Sequence, residues 1–142
     1  MRRTHDTGID QDITLSCVDP WGRTVDVPTT MSFEQGDPYA VTLTFHAASG
    51  DVVWMMARQV LVQGLTAPAG QGDIRVYPSI DEEACAVTVF DFSSPNGHLV
   101  GQVASSDVQQ FVADTITVVP VGDESAFLDI DALAEALLSS AA

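Results

Sequence analysis

Residues 39–46, YAVTLTFH, constrain the fold more than any other stretch. Tyr39, Val41, Leu43 and Phe45 alternate with Ala40, Thr42, Thr44 and His46, and a period of two is the signature of a strand with one apolar and one polar face. Such a strand belongs to an antiparallel sheet with one face in the core and the other toward water. Its neighbours continue the pattern. DITLSCV puts Ile13, Leu15 and Cys17 on one face, DPWG (19–22) reads as a turn, and residues 23–34 return as a strand with Pro28 marking an edge or a break. ASGD (48–51) turns the chain again into VVWMM (52–56).

The period then lengthens. Ala57, Val60, Leu61 and Leu65 follow helical spacing, with Gly64 as a left-handed terminator. TAPAGQG (66–72) reads as loop, followed by strands over 73–79, 84–92 and 98–104, the last two joined by SSPNG. A second helix opens at SSDVQQFVADTI, with Ser106 and Gln109 at capping-box spacing and a stripe of Val108, Phe111, Val112 and Ile116. DIDALAEALLSS predicts a closing helix whose Asp129, Asp131 and Glu135 suit the dipole at its N-terminal half. Two strand runs, each followed by a helix, predict an α+β fold of two antiparallel sheets with packed helices and no βαβ units. The expected organisation is a flexible polar tail over 1–11 and a single domain over 12–142.

Charge excludes several function classes. The 142 residues carry 20 acidic against 5 basic side chains, all five of them arginine, for a formal net charge of −15. Nucleic-acid affinity comes mainly from Lys and Arg neutralising phosphates, so this balance repels nucleic acid and anionic lipid unless the arginines cluster. Cys17 and Cys85 have neither partner cysteines nor histidines at ligand spacing, so zinc is not expected and both thiols are expected reduced and buried. The opening MRRTHDTGIDQD lacks the apolar segment of a secretory signal, and the longest apolar run, residues 52–57, is far short of the ~20 residues that span a bilayer. A cytoplasmic protein without membrane insertion is expected.

No constellation of catalytic residues emerges. His5, His46 and His98 have no positioned partner in the sequence pattern, and a general base needs one. GQGD (70–73) is a lone G-x-G, better explained as a turn feeding a strand. Asp129 and Asp131 lack the further ligands and the glycine of a calcium loop. The reading is therefore a non-enzyme without cofactor or metal. A cleft between sheets could hold a small molecule, although no residue pattern requires it.

Four segments together, DPYAVTLTFH (37–46), VVWMMARQVLVQGL (52–65), GDIRVYPS (72–79) and FSSPNGH (92–98), resemble the SsgA-like proteins of sporulating actinomycetes, and the closing LDIDALAEALL suits the same family. The resemblance covers roughly residues 12–138. It implies a Whirly-like fold, a homotrimer, and a non-enzymatic cytoplasmic protein recruited to the division septum. There such proteins help recruit or position FtsZ for sporulation septa and promote its assembly, with an SsgA-type paralogue as a further partner. The alternative it raises is a single-stranded nucleic-acid-binding module of the same fold, which needs a basic groove with aromatic platforms. Arg75 beside Tyr77 could be a fragment of such a groove, but only Arg23, Arg58 and Arg75 lie outside the N-terminal segment, so nucleic acid is not an expected partner. Arg75 is expected instead to pair with the protein's own carboxylates, with the ring of Tyr77 beside it. Candidate interface residues are Arg75 and Tyr77, the strand face of Thr42, Thr44 and His46, and the apolar stripe Leu133, Leu137 and Leu138 on the closing helix.

Overall fold

The structure is a computed structural model describing residues 1–19, 21–95, 97–128 and 130–140, without the side chains of 130–133 and 140. Strands β1 (Arg2–His5), β2 (Gly8–Val18), β3 (Thr24–Glu34), β4 (Ala40–Ala47) and β5 (Gly50–Ala57) lead into helix α1 (Arg58–Gly64). β6 (Ala69–Gln71), β7 (Ile74–Ile80), β8 (Ala86–Ser94) and β9 (Gly97–Ala104) lead into α2 (Ser105–Val118), and α3 (Glu124–Phe127) and α4 (Ile130–Ser140) close the chain.

The α+β reading holds in its coarse form: the fold is a mostly antiparallel, curled sheet with a few helices. The division into two sheets does not appear. The two strand runs join through β2 and β9, where Ser16, Cys17 and Val18 pair Gln102, Gly101 and Val100, giving one sheet in the order β5-β4-β3-β2-β9-β8-β7-β6. β1 pairs the first part of β2, so the second edge of β2 is shared between β1 and β9. The sheet curls far enough for strands distant in that order to touch: the rings of Phe45 on β4 and Trp54 on β5 lie 5.5 and 5.1 Å from Phe92 on β8.

The concave face is the core. Ile9, Leu15, Met31, Phe33, Val41, Leu43, Val76 and Phe90 are buried there with Leu61 of α1 and Val108 and Phe111 of α2. α1 packs on β5, β6 and β7, and α2 packs on β2, β8 and β9. Burying each large side chain contributes roughly 1.5–3 kcal/mol, which makes this layer the main source of stability.

Several sequence expectations change. Residues 1–11, expected as a flexible tail, form β1 and the start of β2, held by Arg2 to Asp114 at 3.1 Å and Arg3 to Asp12 at 2.8 Å. Tyr39 precedes β4 and is 52% exposed, leaving Val41, Leu43 and Phe45 as its buried row. Gly64 is not a left-handed terminator. A Cβ there would lie 2.4 Å from Cγ1 of Val76, so the residue is small because helix and strand approach closely. α2 begins at Ser105 without a side-chain cap, and the Ser105 hydroxyl instead meets Thr88 Oγ1 at 3.0 Å inside the core. Thr115, not Ile116, completes the buried stripe of α2. Cys85 is exposed, while Cys17 is buried as expected. Asp129 and the side chain of Asp131 lie outside the described residues.

Among the described residues, one charged side chain is buried in the core. Arg58, 2% exposed, donates from Nη1 to the carbonyls of Thr115 (3.2 Å) and Val119 (2.6 Å) at the end of α2, and from Nη2 to Glu124 Oε1 (2.9 Å) in α3. Its guanidinium lies 5.0 Å from the ring centre of Phe33. α2 has no basic residue of its own in its last turn, so Arg58 supplies the cation that a helix C-terminus favours. Arg58→Met removes a donor from both carbonyls and from Glu124, leaving the buried Val119 carbonyl without its short hydrogen bond, and should lower the unfolding free energy by about 1–3 kcal/mol, with Arg58→Lys recovering only part because it lacks the planar fork. Urea unfolding checks this; a midpoint unchanged in Arg58→Met would contradict it.

Candidate functional site

The convex face of the β2–β5 half is the most organised exposed surface. Alternation places Asp10 and Asp12 (β2), Thr30 and Ser32 (β3), Thr42, Thr44 and His46 (β4), and Asp51, Val53 and Met55 (β5) on it. Register sets them in rows: Asp10–Ser32–Thr42–Met55 and Asp12–Thr30–Thr44–Val53. Short β-branched threonines suit a pleated, half-buried surface.

Across this face runs a hydrogen-bonded chain contributed by five strands. Arg3 donates from Nη1 and Nη2 to the two carboxylate oxygens of Asp12 at 2.8 and 3.1 Å. The Thr30 hydroxyl donates to Asp12 Oδ1 at 2.9 Å. His46 lies between Thr30 Oγ1 (2.8 Å from Nε2) and Asp51 Oδ1 (3.1 Å from Nδ1). The Arg3 and Thr30 hydrogen bonds hold the Asp12 carboxyl at about 2, below its ordinary 3.8. The chain ties β1 to the far edge of the sheet and orders the polar side chains of this face.

The other expected residues lie elsewhere. Arg75 and Tyr77 share the convex face of β7, several strands away. Arg75 is exposed, with Nη1 4.0 Å from Asp91, its register partner, and its guanidinium 5.4 Å from the Tyr77 ring. Asp91 is bound more closely by His98, at 2.6 Å. Leu137 and Leu138 on α4 are exposed, and the side chain of Leu133 lies outside the described residues. Arg75 and Tyr77 on β7 therefore do not join Thr42, Thr44 and His46 on β4 in one site.

Two features escaped sequence reasoning. Arg58 had a signal, since it is the one charge inside the apolar stretch VVWMMARQVLV, where an ion with no local partner implies a distant one. The aromatic group of Phe45, Trp54 and Phe92 had none, because nothing local says that β5 and β8 meet.

Among the described residues, no group of histidine, cysteine and carboxylate side chains is arranged to hold a metal ion, and no helix is long and apolar enough to cross a membrane. Every arginine has a carboxylate of this chain within 4.0 Å: Arg2 with Asp114, Arg3 with Asp12, Arg23 with Asp19, Arg58 with Glu124 and Arg75 with Asp91.

Because Asp12's carboxyl is depressed in the fold, its contribution is fully present above its ordinary range and is lost as pH falls toward about 2. Amide exchange in β1, corrected for intrinsic rates, should lose protection between pH ~4 and ~2, and Arg3→Gln should remove that dependence. Protection in β1 that is flat across this range would contradict the chain's role.

Comparison with known proteins agrees with this architecture. Residues 27–124 match the family described as Streptomyces sporulation and cell division protein, SsgA. The chain is 37% identical over 129 residues to the sporulation-specific cell division protein SsgB of Frankia casuarinae, covering 90% of this chain and 89% of that one. It is 36% identical over 106 residues to SsgB of Streptomyces coelicolor, covering 74% and 77% of the two chains. The crystal structure of the SsgA-like sporulation-specific cell division protein from Thermobifida fusca superposes with a TM-score of 0.83 at 30% identity, over 94% of this chain and 98% of that one. These relatives are cell-division proteins of sporulation and not named enzymes. The chain belongs to the SsgA-like family of sporulation and cell-division proteins.

Proposed function

We propose that this chain is a non-enzymatic regulator of cell division in sporulation that recruits FtsZ to the septum and promotes its assembly. It works in the cytoplasm as a homotrimer of Whirly-like fold in a single domain, with an SsgA-type paralogue as a further partner. The observation that carries this reading is the likeness to sporulation-specific cell division proteins along nearly the whole chain. The convex face of Thr42, Thr44 and His46 is the FtsZ-binding surface in this reading, because it is ordered by hydrogen bonds and rich in hydroxyl groups. Exposed Leu137 and Leu138 on α4 serve contacts between copies in this reading.

The nucleic-acid alternative has less support. Phosphate binding needs available cations, and each arginine already faces a carboxylate in a chain of net charge −15.

Sedimentation of GTP-assembled FtsZ with the purified protein tests the reading. The protein should enrich in the polymer pellet, unaffected by single-stranded DNA, and Thr44→Lys should reduce the pelleted fraction without changing the melting temperature. No enrichment of the wild-type chain would contradict direct recruitment, and displacement by DNA would restore the nucleic-acid alternative.

A further inference from the structure

The concave layer of the sheet thins toward one end. Inward positions run Val41, Leu43, Phe45, Ala47 along β4, and Met56, Trp54, Val52, Gly50 along β5. On β8 they run Phe90, Phe92, Ser94, and on β9 Val103, Gly101, Leu99, Gly97. The last layer is therefore Ala47, Gly50, Ser94 and Gly97. Residues this small cannot close the end of a curled sheet, and among the described residues the layer beneath is left uncovered. Val52 shows the consequence: it is 53% exposed although it stands opposite the buried Phe45 on the core-facing row.

The uncovered layer lines a cavity of about 390 Å³, walled by Val27, Phe45, Val52, Trp54, Phe92 and Leu99. Its volume falls in the range of small-molecule sites, roughly 300–1,000 Å³. The walls are fixed before anything enters, because Phe92 is held edge-on by Phe45 at an interplanar angle of 90° and by Trp54 at 66°. The polar residues of the lining are Ser93, Ser94 and His98, toward the mouth.

We propose that this cavity binds a neutral, flat, mainly aromatic small molecule, with its ring system against Trp54 and Phe92 and one hydroxyl or similar polar group at the mouth. The charge of the ligand follows from the surroundings. An anion meets a protein of net charge −15. A cation inside apolar walls finds no counter-charge to offset its lost hydration. This site is separate from the convex face assigned to FtsZ, and its occupancy does not depend on that assignment.

Calorimetric titration of the full chain with 2-naphthol, and separately with 2-naphthoate, tests the site, with sedimentation velocity run over the same protein concentrations. The expected result is saturable one-to-one binding of 2-naphthol and weaker binding of the anion. Ala47→Phe, which fills the cavity from an exposed position, should weaken 2-naphthol by about tenfold or more. Val52→Asp, also at an exposed position, should act in the same direction, so the test survives if one variant folds poorly. Absence of saturable binding overturns the proposal, as does undiminished binding in both folded variants. Equal affinity for the anion overturns the neutral class. Binding that weakens as the protein self-associates shows that a second copy covers the cavity, and this too overturns it.

Discussion

The guanidinium of Arg58 is the interaction on which the arrangement of helices depends. It is a charge in the core, where an unpaired ion is not tolerated, and it is satisfied only by groups brought from two other elements, the end of α2 and Glu124 of α3. Because Arg58 begins α1 directly after β5, its contacts connect the first strand run to the helix that follows the second. Glu124's carboxyl is held below its ordinary range by its own backbone N–H and by the Arg58 hydrogen bond. Hydrophobic burial gives the stability, while the arginine selects which helix end lies over which strand.

With the helices fixed on the concave side, the convex side is left to polar residues. The same alternation that buries Val41, Leu43 and Phe45 presents Thr42, Thr44 and His46, and the register with β3 and β5 turns those single residues into rows. The chain of hydrogen bonds from Arg3 to Asp51 then ties those rows together across the sheet. A sheet face organised in this way holds its shape without a partner and can be recognised by one. It also explains why an acidic chain has no free basic surface: its few cations are used within the molecule.

Much of the local structure was legible from sequence, and most of the long-range structure was not. β4 could be read because its period of two survives over the whole strand, and α2 because Val108, Phe111 and Val112 keep helical spacing. The polar face of β4 followed from the same pattern, as did the placement of Arg75 beside Tyr77. The hydrogen-bonded chain around His46 was hidden because it depends on the strand register of four separate pairings. The union of the strand runs into one sheet was hidden because the β2–β9 pairing spans only three residues, separated by more than eighty in sequence. The first eleven residues looked mobile because their polarity is real, and their order comes from pairing with β2 and β3 and from burial of Ile9, with ion pairs to Asp12 and Asp114 beside them. Gly64 was misread for a related reason, since its demand comes from Val76, twelve residues on in another element.

Site-specific photo-cross-linking in sporulating cells tests the central claim most directly, with the photoreactive residue at position 44 on the convex face and, as a control, at exposed Ile116 on α2. A cross-linked species containing FtsZ from position 44, and none from position 116, is the predicted result. Cross-links from position 44 only to other copies of this chain, or to no division protein at all, would contradict a division role exercised through this face.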